Sequence, residues 1–312
     1  MEIYRHLKEI REKRPAAVSL GFFDGLHLGH TMLLTSCVAF ARERSLSADV
    51  FTFKDHPKNI MSGEIIVPRL MPESEKIDRL SSLGIDRIFE FDFADYFHTM
   101  QPEDFAKKML AGAFSAEAVF CGFNFRFGAQ ASGDTESLKK LGRIYRFETH
   151  VIDPVYASDR LISSSLIRRC INNGDVELAG CLLGRDYALN GIVEKGRSLG
   201  RALGFPTANF FPDREMTIPF YGVYVTETLV DGAKYPSVSN VGVCPTVADE
   251  TFARVETHIL DKDIDLYDKE ITVMFKSMLR KERRFKDEEA LKRQIASDTD
   301  SARHYFSTYA VL

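Results

Sequence analysis

Short apolar runs alternate with amphipathic stretches along the first half of the chain. Each run is continuous and bounded by turn residues, which is typical of strands buried on both faces of a sheet. The runs that predict strands are 17–20, 49–53, 87–91, 118–121 and 148–152. Because helical stretches fall between these runs, the pattern predicts an α/β fold with a parallel sheet covered on both faces.

The helical stretches begin and end at residues that favour helix termini. Pro72 and Pro102 precede two of them, Asp134 stands at the N-cap position of a third, and Gly184 ends the last. The predicted helices are 73–83, 103–110, 135–145, 164–172 and 176–183. Residues 1–14 form a charged, helix-like stretch.

After Gly184 the pattern changes. Apolar runs follow one another without helical stretches between them and are separated by Gly, Pro and Asp turns, which is typical of antiparallel strands. The runs that predict strands are 187–193, 222–229, 235–241, 255–260 and 271–279. A final helix, 287–297 with a continuation beyond residue 297 left open, carries Leu291 and Ile295 four residues apart and is expected to cover one end of a small antiparallel barrel. We therefore predict two domains, 1–184 and 185–312.

The composition fits two folded domains. The 312 residues are 45% hydrophobic and 28% charged, which excludes the disordered and low-complexity classes. The formal net charge of −4 is evenly spread, since residues 185–312 hold 18 Lys and Arg against 20 Asp and Glu. Neither half is a basic domain of the kind that binds nucleic acid or a membrane surface. The sequence leaves the oligomeric state open, a homo-oligomer included.

The cysteines indicate a reducing environment. All five are widely spaced and none forms a Cys-x-x-Cys pair, so neither a disulfide framework nor a zinc ribbon is expected. Residues 1–14 lack the apolar core of a signal peptide, and no later run approaches the ~18 apolar residues of a membrane helix. We therefore expect a cytoplasmic protein.

The strongest local motif lies between the first predicted strand and a helix. It reads Gly21-Phe22-Phe23-Asp24-Gly25-Leu26-His27-Leu28-Gly29-His30. In parallel sheets, ligands bind at the carboxyl ends of strands, and a helix N-terminus there offers free N–H groups to phosphate. The spacing of His27 and His30 points both side chains one way, towards phosphate oxygens, and Gly29 lets a nucleotide approach the backbone. The alternatives are a turn with solvated histidines, or a metal pair, for which no third ligand stands nearby.

A second anion clamp is predicted where Ser163, Ser164 and Ser165 open a helix. Their hydroxyls and free N–H groups sit together, and Arg168 follows one turn later. The alternative is a plain serine N-cap with a surface arginine. Phenylalanines alternate over 122–128, which suits an aromatic wall for a ring-shaped ligand and core packing equally well.

Glycines and a lysine open the second half. Gly191, Gly196, Gly200 and Gly204, with Lys195 among them, suit a loop that wraps round a nucleotide and brings backbone amides to its phosphates. Neither the P-loop motif nor the protein-kinase signature occurs in the chain. Phosphoryl transfer in this half would therefore use another scaffold.

Four blocks of the first half occur in the same order in bacterial bifunctional riboflavin kinase/FAD synthetases, which this chain resembles over essentially its whole length. The blocks are Gly-x-Phe-Asp-Gly-x-His-x-Gly-His from Gly21, Thr52-Phe53-Lys54-Asp55-His56-Pro57, Gly122-Phe123-Asn124-Phe125-Arg126-Phe127-Gly128 and Ile162-Ser163-Ser164-Ser165-Leu166-Ile167-Arg168. The His-x-Gly-His core also resembles the signature of the Rossmann-like nucleotidylyltransferase superfamily. This resemblance implies that Gly21, Phe22, Asp24 and Gly29 bind ATP beside the two histidines, and that Asn124 binds the flavin substrate.

The second half carries its own match, since Gly204-Phe205-Pro206-Thr207-Ala208-Asn209 resembles the riboflavin kinase signature. The resemblance implies that Thr207 and Asn209 hold Mg²⁺ and ATP, and their oxygens suit a hard cation. Alternation over 255–260 puts Glu256 and His258 on one face of a strand. The resemblance identifies Glu256 as the general base, and a riboflavin hydroxyl must indeed lose a proton during attack. A solvated strand glutamate is the alternative.

Arg280 and Phe285 match the family pattern as an anion clamp and an aromatic surface for flavin. The alternative for this pair is an edge-strand arginine with a core phenylalanine.

The implied reactions are ATP-dependent phosphorylation of riboflavin to FMN in the second half and adenylylation of FMN to FAD, with release of pyrophosphate, in the first. The second reaction needs no general base, because a phosphate nucleophile is already ionised, and Mg²⁺ would share in neutralising charge.

Three positions depart from the family pattern: Leu166 and Cys244 stand where arginine is usual, and Ser165 where threonine is usual. Two other functions stay open from the sequence. One is a nucleotidylyltransferase for another substrate, such as a pantetheine or choline phosphate, which the motifs of the second half argue against. The other is a flavin-binding regulatory or storage protein, in which loss of Glu256 or of the histidine pair would be expected.

Overall fold

The computed structural model describes residues 1–95, 97–157, 159–194, 204–245, 251–262 and 264–309. The chain forms two compact units. The first consists of Met1–Pro68 and Pro72–Ser163, and the second of Arg69–Met71 and Ser164–Leu312. The division of function at residue 184 stays a prediction, because compactness alone does not show where one activity ends.

The first unit is built on a six-stranded parallel sheet. Its strands are β1 Glu2–Tyr4, β2 Ala16–Leu20, β3 Ser47–Phe53, β4 Arg87–Phe91, β5 Ala116–Gly122 and β6 Glu148–Ile152, in the order β1-β4-β3-β2-β5-β6. The parallel α/β prediction is confirmed, and β4 and β6 have the predicted bounds.

Helices connect these strands. They are α1 Leu28–Glu43, α2 Pro57–Ser62, α3 Glu73–Ser82, α4 Pro102–Asp104 and α5 Thr135–Tyr145. Short 3-10 turns span Leu7–Glu9, Asp24–Leu26 and Ala129–Ala131, and a hairpin of β7 Tyr156–Ala157 and β8 Arg160–Leu161 ends the unit. The predicted helix 103–110 is a π-helix over most of its length, since α4 continues as Phe105–Ala113 with π-type bonding.

The expectation of a helix-like N-terminus is wrong. Residues 2–4 pair with the first three residues of β4, and the ring of Tyr4 packs against Phe89 with centroids 5.5 Å apart. The charged sequence around Ile3 has a helical local pattern, but β4 would otherwise be an open edge. Pairing with that edge satisfies the backbone groups of both strands.

The order of the sheet reverses between β2 and β5. These neighbours run parallel, with Leu20 opposite Cys121, so the loops that follow them leave the same edge of the sheet. Such a reversal opens a crevice at the carboxyl ends of the strands, where ligands bind in folds of this kind. The loops concerned are 21–27 and 123–128.

The second unit begins with two helices and continues as a six-stranded antiparallel sheet. The helices are α6 Ser164–Asn172 and α7 Val176–Leu183. The strands are β9 Tyr187–Ile192, β10 Ala208–Phe210, β11 Gly222–Val230, β12 Ala233–Pro245, β13 Thr251–Ile259 and β14 Glu270–Lys281, in the order β10-β13-β12-β11-β14-β9. The sheet curls, and a bridge between Glu194 and Asn209 joins its two edges. The predicted antiparallel barrel with a terminal helix is confirmed.

The terminal helix is α8 Glu288–Tyr309, so it has the continuation beyond residue 297 that the sequence left open. Its later turns make the contact with the barrel, because Ala302, Tyr305 and Phe306 pack against a cluster on the strands. That cluster consists of Val223, Val225, Val238 and Leu260. Among the described helices, none combines the length and the apolar character needed to cross a bilayer.

Candidate active sites

The loop after β2 has a fixed and compact conformation. Phe23, Gly25 and Leu26 all have positive φ angles, of 55°, 77° and 39°. The buried ring of Phe23 folds back over Gly21, where a Cβ atom would lie only 2.9 Å from the ring. Gly21 is therefore required by the packing of this loop, which holds the start of α1 at the crevice.

His27 and His30 face the same way, as their spacing predicts. Their rings stack with centroids 3.7 Å apart and an interplanar angle of 15°. His27 is the N-cap of α1, and its Nδ1 accepts a hydrogen bond of 3.2 Å from the backbone N–H of His30. Because Nδ1 is an acceptor, a neutral His27 carries its ring proton on Nε2 and presents an N–H donor there.

Gly29 lies against the ring of His27. A Cβ atom at this position would come within 3.2 Å of Cε1 and 3.3 Å of Nδ1 of that ring. The sequence predicted that Gly29 gives a nucleotide room to approach the backbone. The structure adds a second requirement, since any side chain here would press on the capping histidine.

Burial determines the charge of His30. It lowers the pKa of this imidazole well below its ordinary value, and the neighbouring His27 lowers the pKa further. The Nδ1 atom of His30 is buried and has no hydrogen-bond partner among the described residues. His30 is therefore a neutral imidazole at physiological pH.

Other residues of the first two sequence blocks meet at this loop. The Thr52 hydroxyl donates a hydrogen bond of 3.1 Å to the carbonyl of Phe22, and the ring of His56 meets the Phe22 ring edge-on at 4.9 Å. Lys76 Nζ lies 5.6 Å from the centre of the same ring. Sequence reasoning missed Lys76, because a lysine inside an amphipathic helix carries no motif. Asp24 is buried within the loop.

Asn124 lies in the loop after β5, and β5 is the strand next to β2 in the sheet. Its side chain is exposed, and Phe123 beside it is 42% exposed. In contrast, Phe125 and Phe127 stack on each other and pack into the hydrophobic core. Core packing therefore accounts for two of these phenylalanines, and Phe123 is the one that faces solvent with Asn124.

The residues of the predicted serine clamp lie where the chain passes from one compact unit to the next. Ser163 is the last residue of the first unit, and Ser164, Ser165 and Arg168 belong to α6 of the second. Ser165 is exposed and Arg168 half-buried. The role of these residues as a phosphate clamp stays a prediction.

In the second unit, strand pairing brings predicted site residues together. Asn209 on β10 lies directly opposite Glu256 on β13, and Asn240 on β12 lies opposite the same glutamate from the other side. Directly opposed residues share a face, so these three form a row across three strands. Arg254, two residues earlier on β13, makes an ion pair with the Glu256 carboxylate. The side chains of Glu256 and His258 are both half-buried.

Thr207 borders a pocket beside this strand pair. Polar lining comes from Thr257, Lys262, Asp265 and Tyr267. Lys195 and Gly196, predicted to bind ATP, lie outside the described residues. Gly191 lies in β9, within the predicted strand 187–193, so the interpretation of this glycine as part of a loop round the nucleotide is wrong. A Cβ atom there would come within 2.5 Å of the Phe210 ring, so the packing of this ring against the strand requires glycine at position 191.

Arg280 and Phe285 lie together, and two further residues, Arg283 and Asp298, contact them. The Arg280 guanidinium lies 5.5 Å from the centre of the Phe285 ring, and that of Arg283 lies 5.1 Å from it. Asp298 of α8 holds Arg280 through Nε and Nη2, at 2.9–3.1 Å. Sequence reasoning missed Asp298, because an acidic residue in a helix of mixed charge carries no motif.

The donors available to a divalent cation are mostly neutral. Within the described residues, no group of three or more His, Cys, Asp or Glu side chains is arranged to hold a metal. Asn209 and Thr207 offer neutral oxygens, and Glu256 offers one carboxylate beside Asn209. Mg²⁺ commonly binds through one or two protein carboxylates and substrate phosphates, so this set fits a cation that arrives with ATP.

Comparison with known proteins identifies both halves. A family profile described as FAD synthetase matches residues 9–166, and one described as riboflavin kinase matches residues 183–306. The chain belongs to the bifunctional riboflavin kinase/FMN adenylyltransferase family. The two activities predicted from the sequence, and their order along the chain, are thereby confirmed at the level of the family.

Relatives in this family match almost the whole chain. The bifunctional riboflavin kinase/FMN adenylyltransferase of Bacillus subtilis (strain 168) is 32% identical over 305 residues, covering 95% of this chain and 94% of that protein. The Escherichia coli (strain K12) protein of the same name is 35% identical over 290 residues, covering 93% and 92%. A crystal structure of a macrolide-efflux protein from Streptococcus pneumoniae superimposes with a TM-score of 0.87 at 29% identity, covering 96% and 98%.

Proposed function

We propose that the chain makes FMN and FAD at two separate sites, with ATP as phosphoryl donor in one and adenylyl donor in the other. The observation that carries this assignment is the contrast between the two constellations. The first unit presents stacked imidazoles at a helix N-terminus, and the second pairs Glu256 with Asn209 across two strands. The first arrangement suits charge neutralisation, and the second suits deprotonation beside a cation.

At the kinase site, Glu256 takes the proton from the ribityl hydroxyl of riboflavin as that oxygen attacks the γ-phosphorus of ATP. The bond between the γ-phosphorus and the β,γ-bridging oxygen breaks, and ADP leaves. Asn209 and Thr207 would hold Mg²⁺ through their side-chain oxygens. When bound, Mg²⁺ neutralises charge on the transferring phosphoryl group. The ion pair with Arg254 orients the Glu256 carboxylate on the face that carries Asn209.

At the adenylyltransferase site, the FMN phosphate attacks the α-phosphorus of ATP, and pyrophosphate leaves. The Nε2–H of His27 and the free N–H groups of the first turn of α1 stabilise charge on the triphosphate. His30 stays neutral, so it acts as a hydrogen-bonding group and not as a fixed cation. No general base is required, because the attacking phosphate is already ionised.

The remaining predicted residues are assigned to binding. Asn124, with Phe123, would contact the flavin in the first unit, and Arg280 with Phe285 would contact it in the second. Ser163, Ser164, Ser165 and Arg168 would clamp the triphosphate for adenylylation. Gly191, Lys195 and Gly196 would bind ATP for the kinase reaction. A cytoplasmic location is proposed for both activities.

Labelled ATP tests the proposal. Purified protein is incubated with riboflavin, Mg²⁺ and ATP labelled at either the α- or the γ-phosphate, and flavins are separated over time. FMN should carry only the γ-label, and FAD should carry both labels. Unchanged riboflavin would overturn the kinase assignment. Formation of FMN without any labelled FAD would overturn the adenylyltransferase assignment.

A further inference from the structure

The first residues of the kinase signature, 204–207, lie outside the sheet and lead into β10. The β10–β13 ladder begins at Ala208, which pairs with Thr257. Thr207, the predicted Mg²⁺ and ATP ligand, therefore lies one residue beyond the last ladder pair. Pro206, just before Thr207, has no N–H to donate. Gly204 has a φ of +89°, and a Cβ atom built there would meet no atom within 4 Å.

Beyond the end of the ladder, a side chain of β13 makes the hydrogen bond between the two segments. His258 follows Thr257, and its Nδ1 lies 2.8 Å from the carbonyl oxygen of Pro206. A carbonyl oxygen only accepts, so Nδ1 carries the proton and donates. The ring of Phe205 also meets the His258 ring edge-on, with centroids 5.7 Å apart. His258 thus contacts both residues that precede Thr207.

We propose that His258 is a positioning residue that sets the orientation of Thr207 for nucleotide binding, an inference that rests on the proposed kinase function. The peptide unit joining Pro206 to Thr207 is planar and trans, as are the other described peptides. In a trans peptide the carbonyl oxygen and the next N–H point in opposite directions. Holding the Pro206 oxygen therefore fixes the direction of the Thr207 N–H, at the border of the pocket.

The proposal requires one ring nitrogen and not the other. Nδ1 carries a proton in this tautomer of the neutral ring and also in the imidazolium, so the contact does not depend on protonation. The side-chain amide nitrogen of asparagine occupies a position close to Nδ1, whereas that of glutamine lies close to Nε2. His258→Asn should therefore keep the contact, and His258→Gln and His258→Phe should lose it.

Three measurements on the full-length protein test this role. The first is the KM for ATP and the kcat of riboflavin phosphorylation at saturating Mg²⁺. The second is the calorimetric Kd of ATP without riboflavin, fitted with two ATP sites so that the kinase site is separated from the adenylyltransferase site. The third is hydrogen–deuterium exchange of peptides that span 205–209. His258→Gln and His258→Phe should raise KM and Kd about tenfold with a smaller change in kcat, and exchange should be faster. His258→Asn should stay within about twofold of the wild type.

His304→Gln, on an exposed part of α8, is the matched control, and FAD formation from supplied FMN should not change in any variant. If His258→Phe misfolds, the comparison of His258→Asn with His258→Gln still decides the matter. Equal behaviour of these two variants in KM and in exchange would overturn the proposal. Wild-type protein that binds ATP but leaves riboflavin unphosphorylated would instead refute the kinase function, and exchange at 205–209 would still test His258.

Discussion

His27 and His30 are joined in two ways, since their rings stack 3.7 Å apart and the His30 N–H donates a hydrogen bond to His27 Nδ1. The N-cap contact uses the backbone of His30, and the stacking contact uses its side chain. The two contacts are therefore separable by mutation. Replacing the His30 side chain removes the stacking contact but retains the donor that caps the helix through His27.

His30→Ala should abolish most FAD formation from supplied FMN and spare the phosphorylation of riboflavin. A fall of 10²- to 10³-fold is expected on the scale of removing one group that stabilises developing charge. The rates are measured separately by supplying FMN or riboflavin. His98→Ala, at an exposed histidine of the same unit, is the control. A comparable loss of FMN production would contradict the separation of the two sites.

The low pKa of His30 predicts a pH dependence of stability. In the unfolded chain this histidine binds a proton near its ordinary pKa, about 6.5, whereas the folded state resists protonation. The unfolded state therefore holds more protons below about pH 6.5, and the stability of the first unit falls as the pH drops from there towards the folded pKa. The slope from one group is at most about 1.4 kcal/mol per pH unit.

This pH dependence is measured by urea unfolding of wild type and His30→Asn at pH 7 and pH 5.5. The wild type should lose more stability between the two conditions than the variant does. Histidine ring NMR provides an independent check, because the His30 signal should titrate well below the ordinary pKa of histidine, about 6.5. Titration of His30 at that ordinary value would show that burial does not govern its charge.

Gly29→Ala should impair adenylylation without unfolding the protein. The new Cβ would lie 3.2–3.3 Å from the His27 ring, so the ring must shift and its Nε2–H changes direction. We expect about a tenfold fall in FAD formation from FMN. Gly180→Ala is a matched control, since it also lies in a helix but its Cβ would meet no atom nearer than 3.5 Å. Both variants gain helix propensity, so a difference between them isolates the contact with His27.

Much of the fold follows from local patterns, and the exceptions are elements that depend on distant partners. The bounds of α5, α6 and α7 match the prediction, because caps and apolar periodicity mark them within the helix itself. β1 was not predicted, since only the edge of β4 makes an extended conformation favourable there. β10 was missed for the same reason, because its three residues become a strand through pairing with β13.

The site shows a similar division. The shared orientation of His27 and His30 follows from a helical spacing of three, which the sequence displays directly. The pairing of Asn209 with Glu256 depends on strand register, which separation along the chain does not reveal. The reasons for Gly29 and Gly191 lie in neighbouring rings, so a motif marks the glycines but does not identify what fills the space beside them.

Asp298→Asn should weaken riboflavin binding at the kinase site. The carboxylate holds the Arg280 guanidinium at Nε and Nη2, beside Phe285, and it is buried. Without that charge, Arg280 loses its fixed orientation and the KM for riboflavin should rise severalfold. Some loss of stability is also expected, because the half-buried arginine loses the carboxylate that pairs with it. Asp300→Asn, at an exposed position of the same helix, serves as the control. An unchanged KM for riboflavin would remove Arg280 and Phe285 from the flavin site.

Glu256→Gln should stop FMN formation and leave FAD formation from supplied FMN intact. Glutamine retains the shape of the side chain and its place opposite Asn209, but it cannot accept the hydroxyl proton. A general base contributes about 10²- to 10⁴-fold, so a residual rate in that range below the wild type is expected. Glu270→Gln, an exposed glutamate at the start of β14, should have no effect on either rate. Because adenylylation requires no base, equal loss of both activities in Glu256→Gln would mean that the two reactions share one site or that the variant is misfolded. A normal melting temperature would exclude misfolding, and the assignment of the two reactions to separate sites would then be wrong.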